Sequence, residues 1–198
     1  MIAETRKEYK RTVNVSQIIS FFKKNKSKLT EIYEPRIITS LYFDTVDFGL
    51  YKSSIEKDVD TYKARIRTYS NNNNFYKEIK KNMFSGKSKS IEQLDIKSFG
   101  EISNIYINGN SLYPTLFTQY KRRYFNFDNN CRVTLDSNIH FISHQFRIPS
   151  KVEIYYPKEI IELKQLNENF NIEKYIDKNP VAFSKYKYGV LKTYGIQD

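Results

Sequence analysis

Polar and apolar positions alternate with a period of two through much of this 198-residue chain. Charged side chains stand two apart in Glu8-Tyr9-Lys10, Arg65-Ile66-Arg67, Glu78-Ile79-Lys80, Lys87-Ser88-Lys89, Arg132-Val133-Thr134-Leu135-Asp136 and Glu162-Leu163-Lys164. In a strand, residues i and i+2 share a face. Each pair therefore projects from one side of its strand, while Tyr9, Ile66, Ile79, Val133 and Leu163 can pack on the other. The pattern predicts strands over residues 7–15, 37–44, 61–69, 75–82, 116–127, 132–136 and 159–165. Two turns follow from residues that tolerate left-handed backbone angles: 70–74, with four consecutive asparagines, and Asp128-Asn129-Asn130.

Helical signals are fewer. Ser16 suits the N-cap of a helix running to about Leu29, with Ile18, Ile19 and Phe22 on one side and a lysine-rich end where the macrodipole favours cations. A short helix is predicted over 91–99, stopped by Gly100, and another begins at Ser184 and is interrupted by Gly189. Residues 100–112, rich in Asn, Ser and Gly, read as a connection. With no repeat and no linker, residues 1–198 form a single predicted domain.

Composition changes this picture in one respect. With 33 Lys+Arg against 22 Asp+Glu, the chain carries a net charge of +11, which calls for an anionic partner: nucleic acid, a membrane surface or a phosphate-rich small molecule. Alternation of charge with apolar residues also describes a half-exposed sheet with one face in water. Six recurring pairs favour a second arrangement, in which the apolar positions meet flanking helices and the charged face lines the bore of a β-barrel. So many enclosed cations require an anion to compensate them. Triphosphate supplies several charges and many acceptor oxygens.

Cys131 stands alone, which excludes an intrachain disulfide and a cysteine zinc site and agrees with a reducing, cytoplasmic setting. The apolar stretch Ile18–Phe22 is far short of the ~20 residues a membrane helix needs. His140 and His144 have a spacing that binds zinc on a helix, but no glutamate follows His140 and the surroundings read as strand. The 17 tyrosines and 14 phenylalanines could stack single-stranded nucleic acid. They mostly alternate with the charged positions instead of sharing their face, which assigns them to packing. No Ser-His-Asp or Cys-His arrangement and no Walker-type loop is present.

In this order, Tyr42-Phe43-Asp44-Thr45, Tyr62-Lys63-Ala64-Arg65-Ile66-Arg67, Glu78-Ile79-Lys80, Ser85-Gly86-Lys87-Ser88-Lys89, Tyr120-Lys121-Arg122, Arg132-Val133-Thr134-Leu135-Asp136, Glu162-Leu163-Lys164 and Phe183-Ser184-Lys185-Tyr186 resemble the VTC domain along nearly the whole chain. That family is related to the CYTH phosphatases among the triphosphate tunnel metalloenzymes. The resemblance implies a mainly β (α+β) fold, an eight-stranded antiparallel β-barrel tunnel with a few flanking helices. It also implies an ATP-dependent polyphosphate polymerase using Mn2+ or Mg2+ and acting on ATP, triphosphate or polyphosphate. The alternatives are a metal-dependent triphosphatase of the same fold, or a non-catalytic module binding polyphosphate or nucleic acid.

Carried over position by position, Lys10, Arg65, Arg67, Lys80, Arg122 and Glu162 become the catalytic set. Lys10, Arg65, Arg67, Lys80, Lys87, Lys89, Arg122, Arg132, Lys164 and Lys185 become the phosphate ligands, and Glu162 the metal carboxylate. Glu8 and Glu78 serve either as a second metal ligand or as ion-pair partners of neighbouring cations. Hydrolytic relatives open with Glu-x-Glu-x-Lys, whereas this chain has Arg6-x-Glu8-x-Lys10; the missing first carboxylate favours polymerase over triphosphatase. Ala182 stands where relatives often carry another basic residue. Any coupling to a membrane falls to a separate partner.

Overall fold

A computed structural model describes residues 8–13, 15–56, 58, 60–84, 86–148, 150–166 and 183–196, and for residues 8–11 and 13 the backbone alone. Among these residues, ten strands and three α-helices follow in the order β1 (Glu8–Val13), α1 (Val15–Lys24), β2 (Leu29–Asp44), α2 (Gly49–Glu56), β3 (Thr61–Tyr69), β4 (Asn72–Met83), β5 (Gly86–Leu94), β6 (Ile105–Ile107), β7 (Asn110–Phe127), β8 (Cys131–Ser143), β9 (Glu153–Tyr156), β10 (Glu159–Gln165) and α3 (Lys185–Tyr194). Eight strands lie on the main hydrogen-bonded path, β1-β10-β8-β7-β2-β3-β4-β5, with β6 paired to β7 and β9 to β8. The fold is mainly antiparallel β, as expected. The path is open, beginning at β1 and ending at β5, where the sequence predicted closure into a barrel. β5 is an exposed edge strand carrying Lys87 and Lys89, a charged type of edge that resists further pairing.

The chain divides into two compact units, each assembled from three stretches. The first comprises residues up to Arg36, Tyr120–Ile139 and Tyr156–Phe183; the second comprises Ile37–Gln119, His140–Tyr155 and the residues from Ser184 onward.

In the first unit, β1 pairs with β10 and β10 with β8. One face of these strands is apolar: Cys131, Val133, Leu135, Ile161 and Leu163 pack with Phe125, Phe127 and Ile18 of α1, and Phe21, Phe22 and Leu29 close over them. Ring contacts of Phe22 with Phe125 at 4.8 Å and Phe21 with Phe127 at 6.4 Å fix the helix on the sheet. The helix ends at Lys24, short of the predicted Leu29, and Lys26–Lys28 form a tighter turn. The Asn25 side chain donates to the Phe21 carbonyl at 2.8 Å and satisfies an acceptor at the helix end.

In the second unit, β2, β3, β4 and β5 pair in sequence. Leu41, Phe43, Tyr62, Ala64, Ile66 and Phe75 share one face with Leu50, Ile107 and Leu112 to form its core. Burying each large side chain contributes roughly 1.5–3 kcal/mol. Ser184 caps α3, accepting from the Lys187 amide. Gly189 does not interrupt that helix; a Cβ there would overlap the side chains of Leu116 and Phe141. Glycine at this point lets α3 approach the sheet.

Two further sequence expectations are corrected. Residues 91–94 belong to β5, not to a helix, because Ser90, Gln93 and Leu94 continue the ladder against Ile79, Tyr76 and Phe75. Only Phe99–Glu101 make a helical turn, held by a capping box between Ser98 and Glu101. The connection expected over 100–112 contains β6 and a hairpin to β7, turned by Asn108 and Gly109 at positive φ. The turn at Asp128-Asn129-Asn130 forms where predicted, with Asp128 and Asn129 at φ of 51° and 54°; the one expected over 70–74 is confined to Ser70 and Asn71, because Asn72 already pairs with Tyr69 at the start of β4.

Candidate functional site

Each unit carries one polar sheet face, opposite its apolar one. In the second unit the register aligns Ser40 with Arg67 and Tyr76, Tyr42 with Arg65 and Glu78, and Lys63 with Lys80 and Lys89. Alternation puts these residues on one face, because Leu41, Phe43, Ala64, Ile66 and Ile79 are committed to the core behind them.

Glu78 is the centre of that face and is 4% exposed. Its Oε2 accepts from Arg65 Nε at 2.8 Å and from Arg65 Nη2, Arg67 Nη1 stands 3.7 Å away, and Lys89 Nζ reaches Oε1 at 3.0 Å. Burial would raise the carboxyl, but the charges of Arg65, Arg67 and Lys89 outweigh it and hold the pKa at about 2. One carboxylate thus faces three cations. Lys185, at the start of α3, is buried as well, and the Lys63 ammonium donates to Ser184 Oγ at 3.0 Å.

Tyr42 is part of the same cluster. Its hydroxyl accepts from Arg65 Nη1 at 2.9 Å, and its ring stacks on Tyr186 at 5.1 Å. Burial opposes its ionisation, yet Arg65, Arg67 and Lys185 together bring its pKa from 10.0 down to about 8. Behind it Tyr186 donates to Asp44, whose carboxylate also accepts the amides of Thr45, Leu50 and Tyr51 at 2.7–3.0 Å. Asp44 is an N-terminal anchor for α2 and stands behind the cation cluster.

In the first unit the register aligns Lys10 with Glu162 and Thr134, and Glu8 with Lys164 and Arg132. Arg122 holds Asp136 bidentately, Nε to Oδ1 at 2.5 Å and Nη2 to Oδ2 at 2.7 Å. Asp136 is 1% exposed. Burial would lower the Arg122 pKa, but Tyr120, Asp136 and Glu162 raise it, so its charge is secure. Glu162 is buried and lies 3.2 Å from Lys164 Nζ, while Arg132 is exposed.

Among the described residues, no group of three His, Cys, Asp or Glu side chains converges on one point. The oxygen chemistry of this face nevertheless fits a hard divalent cation. Thr134 Oγ1, register-opposite Glu162, is buried with no hydrogen-bond partner, and a buried orphan hydroxyl beside a carboxylate is a donor set such a cation takes.

The structure therefore gathers Arg65, Arg67, Lys89 and Glu78 in the second unit, with Lys80 beside them in the register and Lys185 close to Tyr42. Lys87 lies further along β5, opposite Asn82. In the first unit Arg122, Glu162, Lys164 and Arg132 stand on adjacent strands. Lys10 and Glu8 are fixed by backbone register alone; Arg6 and Ala182 lie outside the described residues. Of the two second-carboxylate candidates, Glu78 is ion-paired to three cations. His140 pairs with Glu153 at 3.2 Å, and His144 accepts from the Phe146 amide beyond the end of β8.

Sequence reasoning missed Ser40 and Tyr42 as members of these faces, and gave Thr134 and Asp136 a place on a charged face but no role. For the first two the signal was available: Ser40-Leu41-Tyr42-Phe43-Asp44 alternates just as the lysine and arginine pairs do.

The VTC domain family model matches residues 3–100 and 87–194. No curated protein sequence matches the chain. A candidate adenylate cyclase from Bacillus halodurans superposes with a TM-score of 0.55 at 18% identity, covering 100% of this chain and 93% of that one. A candidate adenylyl cyclase from Hippeastrum with a dominant triphosphatase activity gives 0.51 at 14% identity, over 96% and 97% of the two chains. The protein PH1819 from Pyrococcus horikoshii gives 0.50 at 12%, over 83% and 80%. These likenesses establish a shared fold.

Proposed function

The chain belongs to the VTC domain family, and from that premise we propose that it is an ATP-dependent polyphosphate polymerase, a phosphotransferase that passes the terminal phosphate of ATP to the end of a polyphosphate chain. The observation that carries this reading is the convergence of Arg65, Arg67 and Lys89, among the described residues, on the one buried carboxylate of Glu78. A cluster so constituted favours a second polyanion, and condensed phosphate supplies charge and acceptor oxygens together.

Phosphoryl transfer asks the protein mainly to position donor and acceptor and to neutralise charge on the transferred group. Arg65 and Arg67 present planar guanidinium groups suited to bidentate contact with phosphate oxygens, and Lys80, Lys89 and Lys185 add point charges. In the first unit, Arg122 offers a charge held in place by Asp136. A divalent cation held there by Glu162, with Thr134 opposite it, would supply charge neutralisation to phosphate at that face. The acceptor is the end of a phosphate chain, already ionised near neutral pH, so no general base is required; Arg6, in place of a first carboxylate, is consistent with that.

Purified protein incubated with ATP and Mn2+ is expected to yield long phosphate chains, resolved by gel electrophoresis. Release of orthophosphate alone would move the assignment to a triphosphatase. Glu162→Gln is expected to keep the melting-temperature increase given by tripolyphosphate while losing metal-dependent turnover; undiminished turnover would remove Glu162 from the metal site.

A further inference from the structure

The first unit holds an aromatic and guanidinium cluster that phosphate binding does not use. Tyr33 of β2 and Tyr124 of β7 meet edge to face with centroids 5.6 Å apart, and the Arg36 guanidinium lies 5.1 Å from the Tyr33 ring and 5.5 Å from the Tyr124 ring. Tyr33 is 52% exposed. Exposure leaves the Tyr33 ring open to a flat partner, with the half-buried Arg36 and Tyr124 beside it.

Its position links it to the polar face. Tyr124 follows Arg122 by two residues on β7, so both project from the same side of the strand, roughly 6.6 Å apart along it. Arg122 is the residue clamped by Asp136 and electrostatically coupled to Glu162. Flat π-faces two positions from a fixed guanidinium are what a nucleoside triphosphate requires: cations for the phosphates and a stacking surface for the base. Inorganic triphosphate has nothing to place there.

We propose that Tyr33, Arg36 and Tyr124 form a nucleobase-stacking platform that makes this chain select nucleoside triphosphate over inorganic triphosphate as phosphate donor. The inference rests on the phosphate-binding reading above and adds the origin of donor selectivity. Stacking reads a π-face and not a hydrogen-bonding edge, so ATP and GTP bind alike and CTP, with its smaller base, binds more weakly.

The test is calorimetric titration of the intact chain with ATP, GTP, CTP and tripolyphosphate, on wild type, Tyr33→Ala, Tyr33→Phe and Tyr124→Leu. Tyr33→Ala is expected to weaken ATP binding about tenfold, within what one stacked base contributes, and to leave tripolyphosphate affinity unchanged. Tyr33→Phe is expected to retain wild-type ATP affinity, and Tyr124→Leu to repeat the selective loss. Melting curves of each variant exclude a folding defect. A Tyr33→Ala variant that loses ATP and tripolyphosphate affinity in equal measure, or a wild type whose ATP affinity survives both substitutions, overturns the platform while the phosphate-binding reading stands. Binding of neither ligand by wild type overturns that reading and the platform with it.

Discussion

The polar faces of the two units differ in how their charge is balanced. In the second unit, among the described residues, three cations converge on the carboxylate of Glu78, with Lys185 buried nearby. In the first, among the same residues, Arg122 clamps Asp136 and Lys164 lies against Glu162. A buried group that is already neutralised contributes structure; a cluster with surplus charge is organised to receive a counter-charge. Around its described carboxylate the second unit thus gathers more cations than the first gathers around either of its own. The first holds a positioned arginine and a carboxylate with an orphan hydroxyl opposite, a surface that suits both signs of charge.

The largest effects should follow from breaking the neutral pair. Arg122→Ala leaves Asp136, 1% exposed, without its bidentate partner, and is expected to cost about 3–5 kcal/mol in urea unfolding. Glu78→Gln also destabilises, but tripolyphosphate at about 100 times its dissociation constant should return about 2.7 kcal/mol, because phosphate replaces the missing negative charge. The ligand-induced gain should be larger in Glu78→Gln than in wild type, and no larger than wild type in Arg122→Ala. Equal gains in the two variants would erase the distinction between the units.

Next in size is affinity. Arg65→Ala removes a guanidinium that both neutralises Glu78 and faces the cluster. Loss of one charge-assisted contact of about 1.5–3 kcal/mol predicts tripolyphosphate binding weakened roughly 10- to 150-fold by titration, with Lys80→Ala toward the lower end because a point charge lacks the fork geometry. An unchanged affinity in both would mean the surplus charge serves folding alone.

How much of this was legible from residues alone follows the same contrast. The strands of both units were visible wherever one face is apolar and the other charged, as in β3 and β10, because burial forces strict alternation. Residues 29–36 of β2 show no such pattern; most of them are exposed on both sides, and Glu31 and Arg123 make a surface ion pair there instead. β5 was read partly as helix because its side chains are nearly all exposed and nothing enforces a period of two. α2 escaped notice because its start is set by Asp44, seven residues or fewer from the amides it accepts, and not by a capping residue at the helix itself. Phosphate-binding candidates could be read from the pairs of cations. Glu78 could be named as one of two carboxylates that pair with neighbouring cations, but which cations it meets, and the pairing of Arg122 with Asp136, follow only from how the strands come together.

The finest test of the contrast uses Tyr42, a neutral member of the cation cluster whose pKa is depressed to about 8. Because the folded value lies below the ordinary 10, ionisation favours the unliganded fold: the contribution is fully present above pH 10 and is lost as pH falls through 8. Bound phosphate reverses that preference, since a phenolate among Arg65, Arg67 and Lys185 competes for the same cations. Relative to Tyr42→Phe, wild-type affinity for tripolyphosphate should therefore fall as pH rises through 8, by a few-fold, while unliganded stability rises. Taking the ratio to the phenylalanine variant cancels titration of the ligand itself. A ratio that stays flat from pH 7 to 9 would place Tyr42 outside the field that binds the anion, and would leave Glu78 as the described negative charge that holds Arg65, Arg67 and Lys89 together.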